Sequence, residues 1–111
     1  SSDLSQIQCV NWFRLAHPNK LIYAIPNGGQ RSAITAMIFK KEGVVSGICD
    51  LHIPIPLNGY ASLYIEMKSL KGKLSPNQME MFDKLRCYGN KVVVCRSLDE
   101  FMHEVNTYFT T

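Results

Sequence analysis

Two carboxylates and a lysine stand in neighbouring apolar segments of the chain. Asp50 lies in residues 47–53, and Glu66 and Lys68 lie in residues 61–68. The side chains of a strand alternate between its two faces, so Glu66 and Lys68 project together if the second segment is a strand. If the two segments pair as a hairpin, Asp50 comes beside Glu66, and three charged groups then share one small region.

Such a cluster indicates a site for a hard divalent cation. Two adjacent carboxylates repel each other unless a cation lies with them, and Mg²⁺ or Mn²⁺ prefers oxygen ligands of this kind. A bound metal polarises a phosphoryl oxygen and lowers the pKa of the attacking water, while the lysine supplies a positive charge or a proton handle. Each piece also has an ordinary interpretation, because a lone Asp is often a turn residue and Glu-x-Lys is often a solvated strand face.

Capping residues, turn residues and apolar periodicity predict the elements that position this cluster. We expect helices over about residues 5–16, 32–41, 75–87 and 97–109, and strands over about residues 21–25, 47–53, 61–68 and 91–95. Asn58-Gly59 favours a hairpin between the second and third strands, and Ser75 with Gln78 predicts a capping box. The order α-β-α-β-β-α-β-α predicts an α/β fold with a central mixed β-sheet flanked by helices.

Two helices have an expected buried stripe. In the first, the apolar residues at helical spacing are Ile7, Val10, Phe13 and Leu15; in the last, they are Phe101, Met102, Val105 and Tyr108 or Phe109.

Length and composition favour a single soluble domain over residues 1–111. No apolar run reaches the roughly 18 residues of a membrane span, and no signal peptide is recognisable, so we expect a cytoplasmic protein without membrane contact. The net charge of +3 is only a mild indication of an anionic partner. The four cysteines lack metal-ligand spacing and favour reduced, structural thiols over a zinc site: Cys9, Cys49, Cys87 and Cys95.

The motifs around the charged cluster resemble those of the VRR-Nuc family, a branch of the P-D-(D/E)-x-K nucleases found in phages and bacteria. The resemblance runs over about residues 26–108 with the motifs in order: Asn27-Gly28-Gly29-Gln30-Arg31, Glu42-Gly43, Ser46-Gly47-Ile48-Cys49-Asp50-Leu51, Ile65-Glu66-Met67-Lys68 and Leu74-Ser75-Pro76-Asn77-Gln78. It implies a restriction-endonuclease-like core and a metal-dependent endodeoxyribonuclease without a small-molecule cofactor.

The resemblance also implies roles for individual residues. Asp50 and Glu66 would ligate Mg²⁺ or Mn²⁺ together with the main-chain carbonyl of Met67, and Lys68 would assist the nucleophilic water. Gln78 matches a glutamine that lies beside the active site in the family, although a capping role explains it equally well.

The sequence departs from the family pattern in two places. Cys49 precedes Asp50 where the superfamily name has proline, at a position that carries no ligand. Many members also carry a glutamate in the first helix, and here Asp3, Gln6 or Gln8 would have to replace it. This departure leaves the number of metal ions open.

Two segments are candidates for DNA contact. Arg31 follows the turn that contains Asn27 and Gly29 and precedes a helix, so its guanidinium and the nearby N–H groups suit a phosphate. The alternative is a surface arginine in a turn. Lys71 and Lys73 follow the strand of Glu66 and also suit phosphates, although loop solubility explains them as well.

Taken together, the residues and the resemblance predict a structure-selective DNA endonuclease that resolves four-way (Holliday) junctions. Two symmetric cuts need two active sites, so a homodimer is expected. The alternatives are a non-catalytic nucleic-acid binding module on the same fold, and a flap or restriction-type nuclease with the same active site.

Overall fold

Helices and strands follow one another in the predicted order. A computed structural model describes residues 2–26 and 33–110 of the chain. The elements are α1 (Ser2–Ala16), β1 (Tyr23–Ala24), α2 (Ala33–Lys41), β2 (Leu51–Ile53), β3 (Leu63–Met67), α3 (Pro76–Cys87), β4 (Lys91–Cys95) and α4 (Leu98–Phe109). The predicted mixed α/β architecture is confirmed, and β1, β2 and β3 are each shorter than predicted. That residues 1–111 form one domain stays a prediction.

The strands form a mixed sheet in the order β1-β2-β3-β4. β1 pairs antiparallel with β2, and β2 pairs antiparallel with β3. β3 and β4 pair in parallel, which requires a crossover, and α3 provides it. The carboxyl ends of β3 and β4 therefore meet at one edge of the sheet, together with the beginning of β2.

A tight turn connects β2 to β3, as the Asn-Gly pair predicted. Asn58 and Gly59 both have positive φ angles, 53° and 83°, as a two-residue hairpin turn requires. Leu57 and Tyr60 exchange main-chain hydrogen bonds across it, 3.1 and 2.8 Å long. This turn fixes the register of the hairpin and so the position of Asp50 relative to Glu66.

The two faces of the sheet are covered differently. Side chains of α1 and α4 cover one face and form the larger core with Leu51, Ile65 and Met67. On the other face, α3 packs Phe82 and Leu85 against a smaller cluster. Because side chains alternate along β3, Glu66 projects on the α3 face. Within the described residues, no helix is both long and apolar enough to cross a membrane.

The predicted stripe of α1 is wrong in part. Cys9 and Phe13 are buried and Val10 is packed against the core, whereas Ile7 and Leu15 are 56% and 84% exposed. Cys9 and Phe13 lie one helical turn apart and therefore share a face. In α4 most of the prediction holds: Phe101, Val105 and Tyr108 are buried, whereas Met102 is only half-buried.

Candidate active site

Pairing of β2 with β3 brings Asp50 beside the strand of Glu66. Leu51 pairs with Ile65 in the antiparallel register, and Asp50 directly precedes β2. Its Oδ2 accepts a hydrogen bond of 2.9 Å from the main-chain N–H of Met67. The sequence predicted Asp50 within the strand. In the structure, the side-chain carboxylate of Asp50, and not a main-chain carbonyl, accepts the N–H of Met67. The β2–β3 ladder therefore begins only at Leu51.

Glu66 is a buried carboxylate with one satisfied and one open oxygen. Only 4% of the residue is exposed. Its Oε2 accepts a hydrogen bond of 3.1 Å from Nε2 of Gln78 and lies 3.8 Å from Nζ of Lys68. Its Oε1 is buried and has no hydrogen-bond partner among the residues described. Buried polar atoms are nearly always paired, so an unpaired Oε1 is suited to contact a bound ligand.

The electrostatic surroundings of Glu66 disfavour its charged form. Its pKa is raised from the ordinary 4.5 to about 7, first by burial and then by the charge of Asp50, while Lys68 and the hydrogen bond from Gln78 act in the opposite direction. A cation beside Oε1 would counteract both causes of the increase.

Gln78 joins the start of α3 to Glu66. Its Oε1 accepts a hydrogen bond of 2.9 Å from the N–H of Ser75, and its own N–H donates to Ser75 Oγ over 3.1 Å, which completes the predicted capping box. The same side-chain amide donates to Glu66 through Nε2. The capping and active-site interpretations of Gln78 are thus compatible, because its two amide atoms point to different partners.

Lys68 is held by the sheet although it follows β3. Its N–H donates a hydrogen bond of 3.0 Å to the carbonyl of Cys95 and so extends the parallel ladder by one residue. Its side chain is 21% exposed, and its ammonium group shares Glu66 Oε2 with Gln78. A positive charge is therefore fixed at the carboxyl end of β3.

Two open cavities border these residues. One of about 400 Å³ is lined by Gly47, Ile48, Asp50, Glu66, Lys68, Lys73, Ser75, Asn77 and Gln78. The other, of about 390 Å³, is lined by Asp50, Glu66, Met67, Lys68, Ser69 and Gly72. A larger cleft of about 610 Å³ lies between α2 and α3, and none of the three charged residues lines it. The chemistry of the side chains, and not the size of the cavity, identifies the site.

Gly47 and Asn77 also line the site, although no individual role was predicted for either residue. Gly47 has a φ of +83°, and a Cβ there would lie 2.8 Å from Nδ2 of Asn77. Asn77 donates a hydrogen bond of 3.0 Å to Oγ of Ser46, which ties the segment before Asp50 to the start of α3. The local signal in the sequence was a Ser-Gly pair shortly before Asp50, and this signal does not reveal Asn77 as the partner.

His52 lies two residues after Asp50, on the same face of the strand, but its ring nitrogens contact Tyr23 and Ser62. Its Nε2 lies 2.9 Å from Ser62 Oγ, and Ser62 donates its hydroxyl proton to Asn90 Oδ1 over 2.6 Å. Because that proton is used, Ser62 must accept from Nε2–H of His52, which leaves Nδ1 as the partner of the Tyr23 hydroxyl. Its ring also stacks on Tyr64, with centroids 4.1 Å apart. His52 is a structural residue of the sheet.

The predicted DNA-contacting residues divide into two groups. Lys71 and Lys73 lie exposed in the segment between β3 and α3, and Lys73 lines the cavity that contains Asp50 and Glu66. Arg31, Asn27 and Gly29 lie outside the described residues, so their predicted phosphate contacts stay predictions.

Gln6 and Gln8, two of the three candidates for the missing first-helix glutamate, do not line the cavities beside the carboxylates. Within the described part of the chain, no residue of α1 lines the two cavities beside Asp50 and Glu66. Gln6 lines a separate cleft on α1, and Gln8 is exposed. The side chain of Asp3 is outside the described part.

The donor set fits a hard divalent cation. Asp50 and Glu66 provide two carboxylates. The N–H of Met67 faces Asp50. Because the N–H and C=O of one residue in an antiparallel pair point to the same neighbouring strand, the carbonyl of Met67 points to the same side as its N–H. No group of three or more His, Cys, Asp or Glu side chains within residues 2–26 and 33–110 suits a metal ion. Two carboxylates suffice for Mg²⁺, whose other ligands are commonly waters and substrate phosphates.

A mixed sheet with Asp50 directly before β2 and with Glu66 and Lys68 at the end of β3 is compatible with an α/β protein that has a nuclease-like core. A family model described as the VRR-NUC domain matches residues 2–99, and the chain belongs to this family. A solved structure of a VRR_NUC domain protein superimposes with a TM-score of 0.81 at 26% identity, covering 97% of this chain and 87% of the other. No curated protein matches the chain. The resemblance inferred from the motifs is therefore confirmed, and the family is nuclease-like.

Proposed function

We propose that this protein is a metal-dependent endonuclease that hydrolyses phosphodiester bonds in DNA. The observation that carries the proposal is Glu66, a buried carboxylate whose Oε1 has no partner among the described residues. A buried charge without compensation costs free energy, and an apolar side chain would serve the fold better. Its position beside Asp50 and Lys68 supports a site that is completed by a cation and a phosphate.

Each residue has a defined task in this proposal. Asp50, Glu66 and the main-chain carbonyl of Met67 would hold Mg²⁺ or Mn²⁺. The bound ion would supply a Lewis acid for the phosphate and favour the ionised form of the attacking water. Lys68 orients that water and stabilises the negative charge that develops on the phosphate. Gln78 keeps Glu66 in place through the 3.1 Å hydrogen bond to Oε2.

We propose that the substrate is DNA with more than one duplex arm, in particular a four-way junction, as the resemblance to stand-alone members of the family implies. Lys71 and Lys73 add positive charge beside the carboxylates, where phosphates would lie. We assign Arg31, Asn27 and Gly29 to a second phosphate contact. A chain with one catalytic cluster would need a second copy to cut two strands symmetrically.

The exposed apolar surface of α2 supports a homodimer. None of its residues is buried, and Ile34, Met37 and Ile38 are 67%, 53% and 51% exposed. The 610 Å³ cleft beside α2 is lined mainly by apolar side chains. Large exposed apolar patches are typical of interaction sites, and a second copy of this chain satisfies the need for two active sites.

A cleavage assay with a matched lysine variant tests the catalytic proposal. Purified protein is incubated with a four-way junction, a flap and a linear duplex in Mg²⁺, Mn²⁺ or EDTA. We expect metal-dependent cuts, strongest on the junction, and a loss of at least about a hundredfold in rate for Lys68→Ala without loss of DNA binding. Lys84→Ala is the control, since Lys84 pairs on the surface of α3 with Glu80.

The outcomes separate the rival functions. DNA binding without metal-dependent cleavage of any substrate would identify a binding module and refute the nuclease. Equal cleavage of flap and junction would refute junction selectivity. Sedimentation at micromolar concentration should give a dimer, and a monomer would contradict symmetric junction resolution.

A further inference from the structure

A single arginine gathers the main-chain carbonyls of the segment between β3 and α3. Nη1 of Arg96 donates hydrogen bonds to Ser69 O over 2.7 Å and to Gly72 O over 2.6 Å, and it lies 3.5 Å from Leu70 O. Ser69 O also accepts from the N–H of Gly72 over 3.1 Å, which closes a turn. We call residues 69–73 the lysine loop, because Lys71 and Lys73 lie in it.

Arg96 is anchored on the rigid side of this contact. It follows β4 directly, and β4 ends beside β3 because the two strands are parallel, with Met67 paired to Cys95. Its own N–H donates a hydrogen bond of 2.8 Å to Oε1 of Glu100 in the first turn of α4. The guanidinium therefore extends from the end of the sheet to a loop that makes no strand-pairing hydrogen bonds.

The contact turns the loop carbonyls inward and leaves its ammonium groups outside. Lys71 and Lys73 are exposed, and neither takes part in an ion pair among the described residues. Arg96 itself pairs with no carboxylate there. If a carboxylate held the loop, its negative charge would cancel part of the positive charge of Lys71 and Lys73. The guanidinium of Arg96 instead adds one positive charge to the loop through its contacts with main-chain carbonyls. This choice of partner points to an anion outside the loop.

We propose that Arg96 is a positioning residue that holds the lysine loop so that Lys71 and Lys73 contact the phosphate backbone of DNA beside the catalytic site. The inference rests on the proposed nuclease function and assigns the cationic wall of that same site. Lys68 is held independently by its bond to Cys95 O. Loss of the clamp should therefore weaken substrate binding much more than it slows the chemical step.

Three variants test the clamp: Arg96→Gln, Arg96→Lys and, as a matched control, Arg86→Gln. Arg86 also donates to a main-chain carbonyl, Val92 O at 3.1 Å, but its side-chain partners are Val92 and Asp83 and not residues of the lysine loop. The first readout, trypsin cleavage after Lys71 and Lys73 in DNA-free protein, needs no nuclease activity. We expect about tenfold faster cleavage in Arg96→Gln, near wild-type rates in Arg96→Lys because one nitrogen makes both short bonds, and no change in Arg86→Gln.

The second readout is DNA affinity in EDTA over a range of salt concentrations, with kcat and KM in Mg²⁺. Arg96→Gln should bind about three- to tenfold more weakly, lower the slope of log K against log salt by about 1 to 2, raise KM and leave kcat within about twofold. Faster proteolysis with unchanged affinity would refute the role in DNA contact, and unchanged proteolysis would refute the clamp. If the wild-type protein binds no DNA, the proposed function is refuted as well. The proteolysis result distinguishes this case from failure of the clamp alone, because proteolysis is measured without DNA.

Discussion

Replacing Glu66 by glutamine should stabilise the metal-free protein at alkaline pH and leave its stability nearly unchanged at acidic pH. The native pKa of Glu66 is about 7 against an ordinary value of 4.5. Between these values the native state holds a proton that the unfolded chain has released, so the free energy of unfolding of the wild type falls as the pH rises. Glutamine is neutral throughout and removes this dependence.

The magnitude follows from the difference in pKa. Each pKa unit corresponds to about 1.4 kcal/mol, so the charged carboxylate costs up to about 3 kcal/mol above pH 7. Glu66 is 4% exposed, so little of this cost is relieved by solvent. The pKa of about 7 already includes the attraction to Lys68, whose Nζ lies 3.8 Å from Oε2 and which lowers the pKa. We therefore expect the variant to exceed the wild type by about 2 to 3 kcal/mol at pH 8.

Urea denaturation in EDTA from pH 4 to pH 8 measures this difference, and subtraction of the two curves removes the titration of all other groups. Glu80→Gln is the control, because the side chain of Glu80 is 71% exposed on α3 and its curve should parallel that of the wild type. Saturating Mg²⁺ should restore the wild type at pH 8 and not the Glu66 variant. A constant difference between Glu66→Gln and wild type over the whole pH range would refute the reasoning, since it would mean that charging Glu66 costs nothing.

Two further substitutions separate the contributions of the neighbours of Glu66. Asp50→Asn should abolish cleavage and lower the pKa of Glu66, which carboxyl NMR titration measures, while it keeps an acceptor for the Met67 N–H. Asp50→Ala loses that acceptor and should be about 1 to 2 kcal/mol less stable than Asp50→Asn in urea denaturation. Equal stability of the two variants would contradict a role for this hydrogen bond. Gln78→Ala and Ser75→Ala should each lower the free energy of unfolding by about 1 kcal/mol, because each disrupts the capping box. Only Gln78→Ala should shift the pH–rate profile of cleavage to higher pH, because it alone removes the hydrogen-bond donor that lowers the pKa of Glu66.

The sequence predicted best where the signal is local. The turn at Asn58 and Gly59 needs positive φ at two successive residues, and few other pairs accept that geometry. The start of α3 was marked by Ser75 and Gln78, whose reciprocal bonds need no other element. At the start of α4, Ser97 Oγ accepts from the N–H of Glu100. The carboxylate of Glu100 accepts from the N–H of Arg96 and not from that of Ser97, so the cap lacks the reciprocal bond found at Ser75.

Features that depend on distant partners were not predictable in the same way. The apolar residues of α1 surround the helix, so periodicity alone cannot select the face of Cys9 and Phe13 over that of Ile7 and Leu15. Alternation placed Glu66 and Lys68 on one face, and the hairpin brought Asp50 near them. The contacts of Arg96 are to main-chain carbonyls 24 to 27 positions earlier, and such acceptors carry no side-chain signature in the sequence.

The two faces of the sheet explain how the fold tolerates a destabilising site. The larger core, with Phe13, Leu51, Ile65, Phe101 and Tyr108 fully or almost fully buried, lies on the face opposite Glu66. Apolar burial on that face gains free energy in proportion to area, and it does so without contact with the charged groups. The cost of charging Glu66 is therefore local to the α3 face, where Gln78 and Lys68 reduce it and a bound cation would remove it. Under the proposed function, the binding of a metal ion would therefore be strengthened, because it would relieve a cost that the metal-free protein already carries.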